Sequence, residues 1–143
     1  MRKWIAAIIC FIMLMGIAVG ILYKYRILNN SGTVKAIGIE VYKDADGTIQ
    51  LTNIDWGIIE PGQNMTYIIY VKNEGNTNVT LSKVESDWTP VEASTYVSLE
   101  WDYNGSIINP KSMIPITLTL RVSIDISGIE QFTFNTTIVG TET

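Results

Sequence analysis

The sequence predicts an all-β protein: an antiparallel, Ig-like (Greek-key) β-sandwich of about seven strands, preceded by one N-terminal transmembrane helix. Three observations lead there. Trp4 to Leu22 is an apolar run without a charge. Beyond residue 33, Val, Ile, Thr and Tyr dominate and recur with period two. Turn signals then interrupt the chain at short intervals, and no stretch carries a convincing amphipathic helical pattern.

The apolar run comes first. At ~1.5 Å per residue it reaches about 28 Å, close to the hydrocarbon thickness of a bilayer. Trp4 and Tyr23 stand at its ends, where amphipathic rings favour the membrane interface. Lys24 and Arg26 have stems long enough to place their charges among the headgroups. The expected organisation is a short cytoplasmic N-terminus at 1–3, a signal-anchor at 4–23, a linker at 24–32, an extracellular sandwich at 33–140 and a tail at 141–143. A cleaved signal peptide is the competing reading. Met1 to Lys3 would form its charged start, and Ala18-Val19-Gly20 offers small residues for cleavage. Both readings place the rest of the chain outside the cell membrane, which in the first it crosses once.

The strands follow in order. Val34 to Tyr42 alternates, with Ile37, Ile39 and Val41 on one face. Lys43 to Gly47 turns the chain, and Ile49 to Asn53 reads as a short second strand leading to Trp56. In Glu60-Pro61-Gly62-Gln63, Pro fixes φ and Gly takes the left-handed position. Met65 to Lys72 places Met65, Tyr67, Ile69 and Val71 on one face, and Asn73 to Asn76 turns back. Thr77 to Glu85 returns with Val79 and Leu81 inward, and one helical turn is expected after Pro90. Tyr96 to Trp101 is a strand, Asn104-Gly105 signals a hairpin and Asn109-Pro110-Lys111 a break. Ile114 to Ile124 alternates most clearly, with every second residue apolar through Ile124. Ser127-Gly128 turns the chain into a last strand carrying Phe132, Phe134, Thr136 and Ile138. Trp56, Trp88 and Trp101 are the expected core aromatics, each burying on the order of 200 Å².

Composition narrows the chemistry. The 143 residues include no His, and the one Cys is Cys10, within the apolar run. Histidine-based triads, Cys–His pairs, and zinc or blue-copper sites therefore lack their residues in the outer domain. That domain also lacks the means for an internal disulfide. Arg2, Lys3, Lys24 and Arg26 are four of the ten basic residues, so the other six face all fourteen acidic ones, a net charge of −8. Such a surface repels phosphate backbones, which argues against nucleic acid as a partner, and it stands off anionic headgroups. Asp44 and Asp46 lie two apart, but Gly47 follows at once, which departs from an EF-hand loop; a plain turn is the reading. Trp101 to Gly105 mixes rings and polar groups at a loop that could stack on a sugar, although Trp101 in the core with Tyr103 covering the turn is the simpler reading. Neither an enzyme, a cofactor nor a small-molecule substrate is expected. Five Asn-x-Ser/Thr sequons, at Asn29, Asn64, Asn78, Asn104 and Asn135, are glycan acceptors in an exported chain.

Two stretches carry a resemblance. Trp56 to Gln63 followed by Tyr67 to Asn76 resembles the strand, Pro-Gly turn, strand and polar turn of exported Ig-like modules. With Ile54-Asp55-Trp56-Gly57 and Leu99-Glu100-Trp101-Asp102-Tyr103-Asn104-Gly105, the chain looks like a group of small archaeal membrane-anchored proteins that have no assigned activity. It is more weakly similar to the TasA/camelysin-type matrix proteins and bundling-pilus subunits, through Ser31-Gly32-Thr33, the Pro-Gly turn and a strand ending in Asn and Gly. The chain is shorter than those and its leader has no clean cleavage site. The first resemblance implies a tethered, non-enzymatic surface module for structure or protein interaction. The second implies a secreted filament or matrix subunit joined by β-strand exchange. Either one implies protein partners or self-association.

Overall fold

The structure, a computed structural model, describes residues 38–143. The expected anchor, the linker, Asn29 and the start of the first expected strand lie outside the described residues. Within them, no helix is long and apolar enough to cross a membrane.

Among the described residues, six strands form two antiparallel sheets. The first sheet holds β1 (Ile39–Tyr42), β2 (Asn64–Asn73), β5 (Met113–Val122) and β4 (Val97–Trp101), in the order β1-β2-β5-β4. The second pairs β3 (Val79–Thr89) with β6 (Thr133–Glu142). A single helical turn, α1 (Ala93–Tyr96), lies between β3 and β4, as expected after Pro90.

Alternation decides which residues the sheets enclose. Ile69 and Val71 of β2 point inward, as do Ile116, Leu118 and Leu120 of β5. They share one buried cluster with Val97 and Leu99 of β4 and with Val79 and Leu81 of β3. Residues from both sheets in one cluster make the all-β sandwich. The β2–β5 register sets Ile69 against Ile116 and Val71 against Ile114, and the buried cluster itself is aliphatic, with Tyr67 packed against it. Burying each such side chain is worth about 1.5–3 kcal/mol.

The turns follow their chemistry. Gly62 has φ +80°, and the Gln63 N–H donates to Glu60 O at 3.0 Å, closing the Pro-Gly turn. A Cβ on Gly62 would meet Ile124 Cδ1 at 3.1 Å, so shape and φ both require glycine. Asp44 closes the first turn. Its carboxylate accepts from the Thr48 N–H, from Thr48 Oγ1 at 2.8 Å and from the Ile49 N–H at 2.7 Å.

Several expectations are corrected. Ile49 to Asn53 is not a strand. It makes one bridge, Tyr42 to Gln50, flanked by bonds from the Lys43 N–H to Ile49 O and from the Leu51 N–H to Val41 O, and the pairing with β1 goes no further than Leu51. The described strands therefore number six. Asn104-Gly105 does not make a tight hairpin. β4 and β5 are antiparallel neighbours, but the chain between them swings across to the second sheet, where Ile108 bridges Val79. β5 stops at Val122, and Ile124 lies 71% exposed beyond it, against the Pro-Gly turn. The three tryptophans are half-buried on the rim of the cluster rather than at its centre. β6 runs through Glu142, into the residues expected to form a tail.

Candidate protein-interaction surface

The second sheet is asymmetric at its two edges. The β3 edge is covered at its start. Val79 and Ile108 exchange both main-chain bonds, at 3.1 and 2.8 Å, and the Leu81 N–H donates to the Tyr103 hydroxyl at 3.1 Å. That hydroxyl in turn donates to Ser106 O at 2.5 Å. Tyr103 thus seals a strand edge, and its ring meets Trp101 edge-on at 5.2 Å between centroids. Lys83 Nζ lies 6.0 Å above the Trp101 ring. Both rings of the Trp101 to Gly105 loop are therefore engaged within the domain.

The β6 edge has no strand beside it among the described residues. The Thr143 N–H donates to Asn78 O, which sets the parity of the ladder. Odd-numbered β6 residues exchange their main-chain bonds with β3. The N–H and C=O groups of Phe134, Thr136, Ile138 and Gly140 consequently face away from it. Their side chains lie on the inner face, with Phe134 stacked on Trp88 at 4.2 Å and an interplanar angle of 9°.

A groove of about 1090 Å³ opens beside this edge. Ile69, Leu99 and Leu118 of the first sheet reach its floor, Phe134 and Ile138 line one side, and the segment from Leu51 to Ile59 lines the other. Ile58 on that segment is 95% exposed. An unpaired strand beside exposed apolar groups is a surface suited to another polypeptide.

The expected acceptor asparagines are spread over the domain rather than gathered. Asn64 opens β2, Asn78 precedes β3, and both are exposed. Asn104 Oδ1 accepts from the Ser106 N–H at 3.0 Å, within an exposed loop. Asn135 Nδ2 donates to Asp87 Oδ2 at 2.8 Å on the outer face of β6. Trp4, Tyr23, Lys24 and Arg26, the expected membrane-interface residues, lie outside the described residues.

One charged cluster escaped the sequence reading. Glu74 Oε1 accepts from Lys72 Nζ at 2.6 Å and from the Tyr42 hydroxyl at 3.2 Å, while Lys111 Nζ donates to Glu74 O. The Lys72 ammonium, against a smaller opposing push from burial, holds the Glu74 carboxyl below its usual range, and Lys72 is raised in return. Burial, then the hydrogen bond to Glu74, raises the Tyr42 phenol. The cluster ties β1, β2 and the 109–112 turn together, so it is structural. The same holds for Asp44. Burial pushes its carboxyl up, but hydrogen bonds from Ile49 and Thr48 outweigh that and leave it lowered. No group of three or more acidic or thiol side chains suited to a metal occurs among the described residues.

No protein-family model matches the chain, and a search of curated proteins finds no match.

Proposed function

We propose that the chain is a non-enzymatic cell-surface module for structure or protein interaction, tethered by a single N-terminal membrane anchor with the sandwich outside. The carrying observation is the open β6 edge beside the apolar groove. The strand order supports an Ig-like, Greek-key reading of the domain. Taking β1 to β6 in turn as the first six Ig strands gives the Ig order on the four-stranded sheet. The place beside β6 is then that of the seventh strand. The uncharged run from Trp4 to Leu22 supports the anchor, and four exposed sequons suit an exported, glycosylated surface. The similarity to small archaeal membrane-anchored Ig-like proteins agrees with this reading.

Protease treatment of intact cells, followed by intact-mass analysis of the membrane fraction, tests it. The expected result is a domain cut from outside, a retained N-terminus beginning at Met1 or Arg2, and added mass at one or more sequons. A protein shielded from protease until the cells are lysed would overturn it.

The same open edge favours a second reading, a secreted filament or matrix subunit in which a strand of one molecule completes the next. That version requires cleavage near Ala18-Val19-Gly20, so a native chain beginning at Met1 or Arg2 excludes the free filament.

A further inference from the structure

We propose that the open edge of β6 is the contact surface for a second copy of this chain, pairing β6 with β6 antiparallel about a two-fold axis at Thr137. The proposal rests on reading the domain as an interaction module and names the partner of that surface.

Natural sheets guard a free edge with Lys, Pro, a bulge or a covering loop. The β3 edge shows such a cover in Ile108 and Tyr103. Among the described residues, β6 has none of these guards over the relevant stretch. Thr133 to Thr141 contains no charge and no Pro, and the register with β3 is regular from Val79–Glu142 to Ser86–Asn135. The one irregularity falls beyond Ser86, at the far end. A strand of this kind is a template for pairing.

The charge pattern selects a second copy of the chain. The domain is strongly acidic, so most faces of two copies repel each other. Thr133 to Thr141 of β6 is an uncharged stripe on that acidic body. Paired about Thr137, it brings no like charges opposite each other, since Glu142 falls against Phe132 of the second copy.

Geometry then fixes the register. Only the even-numbered residues have outward main-chain groups, so they must exchange bonds with one another. Centred on Thr137, Phe134 pairs with Gly140 and Thr136 with Ile138, each pair occurring twice. The bulkiest inner-face residue thereby stands opposite the one without a side chain. On the outer face Thr137 meets Thr137, Thr133 meets Thr141, and Asn135 meets Val139. Thr–Thr pairs are favourable across strands. Val139, 41% exposed in the single copy, gains a neighbour. A second β6 also occupies the seventh-strand place over the groove. The two-strand sheet becomes one of four, with its weakest edge removed.

Disulfide trapping tests this in the full chain, purified in detergent micelles, on a Cys10→Ser background. Thr137→Cys puts two thiols on the axis at a non-hydrogen-bonded pair. There Cα atoms stand about 4.5 Å apart, within disulfide range. Mild oxidation should give a covalent dimer. Val84→Cys is the control: Val84 is the β3 partner of Thr137, exposed on the same outer face but one strand from the edge. It should stay monomeric. Thr136→Pro removes an outward N–H without touching the ladder to β3. Added to Thr137→Cys, it should abolish the crosslink while leaving the circular dichroism spectrum unchanged. A monomeric Thr137→Cys protein, or crosslinking equal to that of Val84→Cys, would overturn the proposal. A strand from elsewhere seated on β6 would give the first of these results. The cell-surface reading is judged separately, by protease access on intact cells, so the two can fail independently.

Discussion

Asn73 is the only polar residue among the fully buried side chains of the described structure, and all of its hydrogen-bonding groups are used. Its Nδ2 donates to Thr77 O at 2.7 Å and to Ile108 O at 3.0 Å, and its Oδ1 accepts from the Gly75 N–H at 3.0 Å. Asn73→Ala should therefore cost about 2–3 kcal/mol, because it strands buried main-chain groups as well as deleting bonds. Urea unfolding should show a lower midpoint with an unchanged slope. The sequence marked Asn73 only as the start of a polar turn. Its role was hidden because two of its partners, Ile108 and Thr77, are defined by where a loop crosses back. Glu74 and Asp44 add a pH dependence. Both carboxyls are lowered in the folded state, so each contributes stability that is fully present above its unfolded value, about 4. That contribution disappears as pH falls through the folded values. The Glu74→Gln, Asp44→Asn double variant should start less stable at neutral pH. It should then lose less between about pH 6 and about pH 3 than the parent, as read by chemical denaturation at each pH.

At the scale of the element, the alternating strands were the most legible. β2 and β5 carry their inward residues where period two puts them, because both lie in the middle of a sheet with one face buried. β3 was read correctly as far as Leu81. Beyond it, Lys83 and Glu85 occupy the same inward positions, which no hydrophobic pattern announces. Lys83 pairs with Glu85 and donates to Leu99 O at 2.5 Å, with the two side chains 15% and 27% exposed. Such a pair gains little over an apolar pair of the same size, whereas breaking it leaves a half-buried charge. Lys83→Ala should accordingly destabilise more than the double change Lys83→Met, Glu85→Leu, and thermal melts of the three proteins would show the order. The expected strand from Ile49 to Asn53 is absent for a related reason: propensity does not guarantee pairing, and the contact with β1 ends after Leu51 although Ile39 and Glu40 continue beyond it.

For the molecule as a whole, the class was legible and the edge was not. Counting turns and alternating runs gives a sandwich. Which strand lacks a neighbour depends on pairings between residues far apart, such as Val79 with Glu142, and on the parity of one ladder. The tryptophans allow a test of how the two sheets hold together. Trp56 packs on Tyr67 of β2, Trp88 on Phe134 of β6, and Trp101 lies on β4. If one buried cluster joins the sheets, variants retaining a single outer-domain Trp should unfold at the same denaturant midpoint by fluorescence as by circular dichroism. Separate midpoints for Trp88 and Trp56 would mean that the sheets come apart independently.

The knot of bonds at Asn73 also has a mechanical meaning. A pull on the chain entering at Gly38 arrives at the Ile39–Asn73 pair, the first rung of a ladder only four residues long. Alone, that ladder would peel rung by rung. Here the Glu74 N–H holds Gly38 O at 2.8 Å, the Asn73 N–H holds Ser112 O, and the Asn73 side chain holds Ile108, which is itself bound to Val79. Tension passing through the Gly38–Glu74 bond thus reaches an end of β2 that is anchored to the 109–112 turn and, through Ile108, to the second sheet.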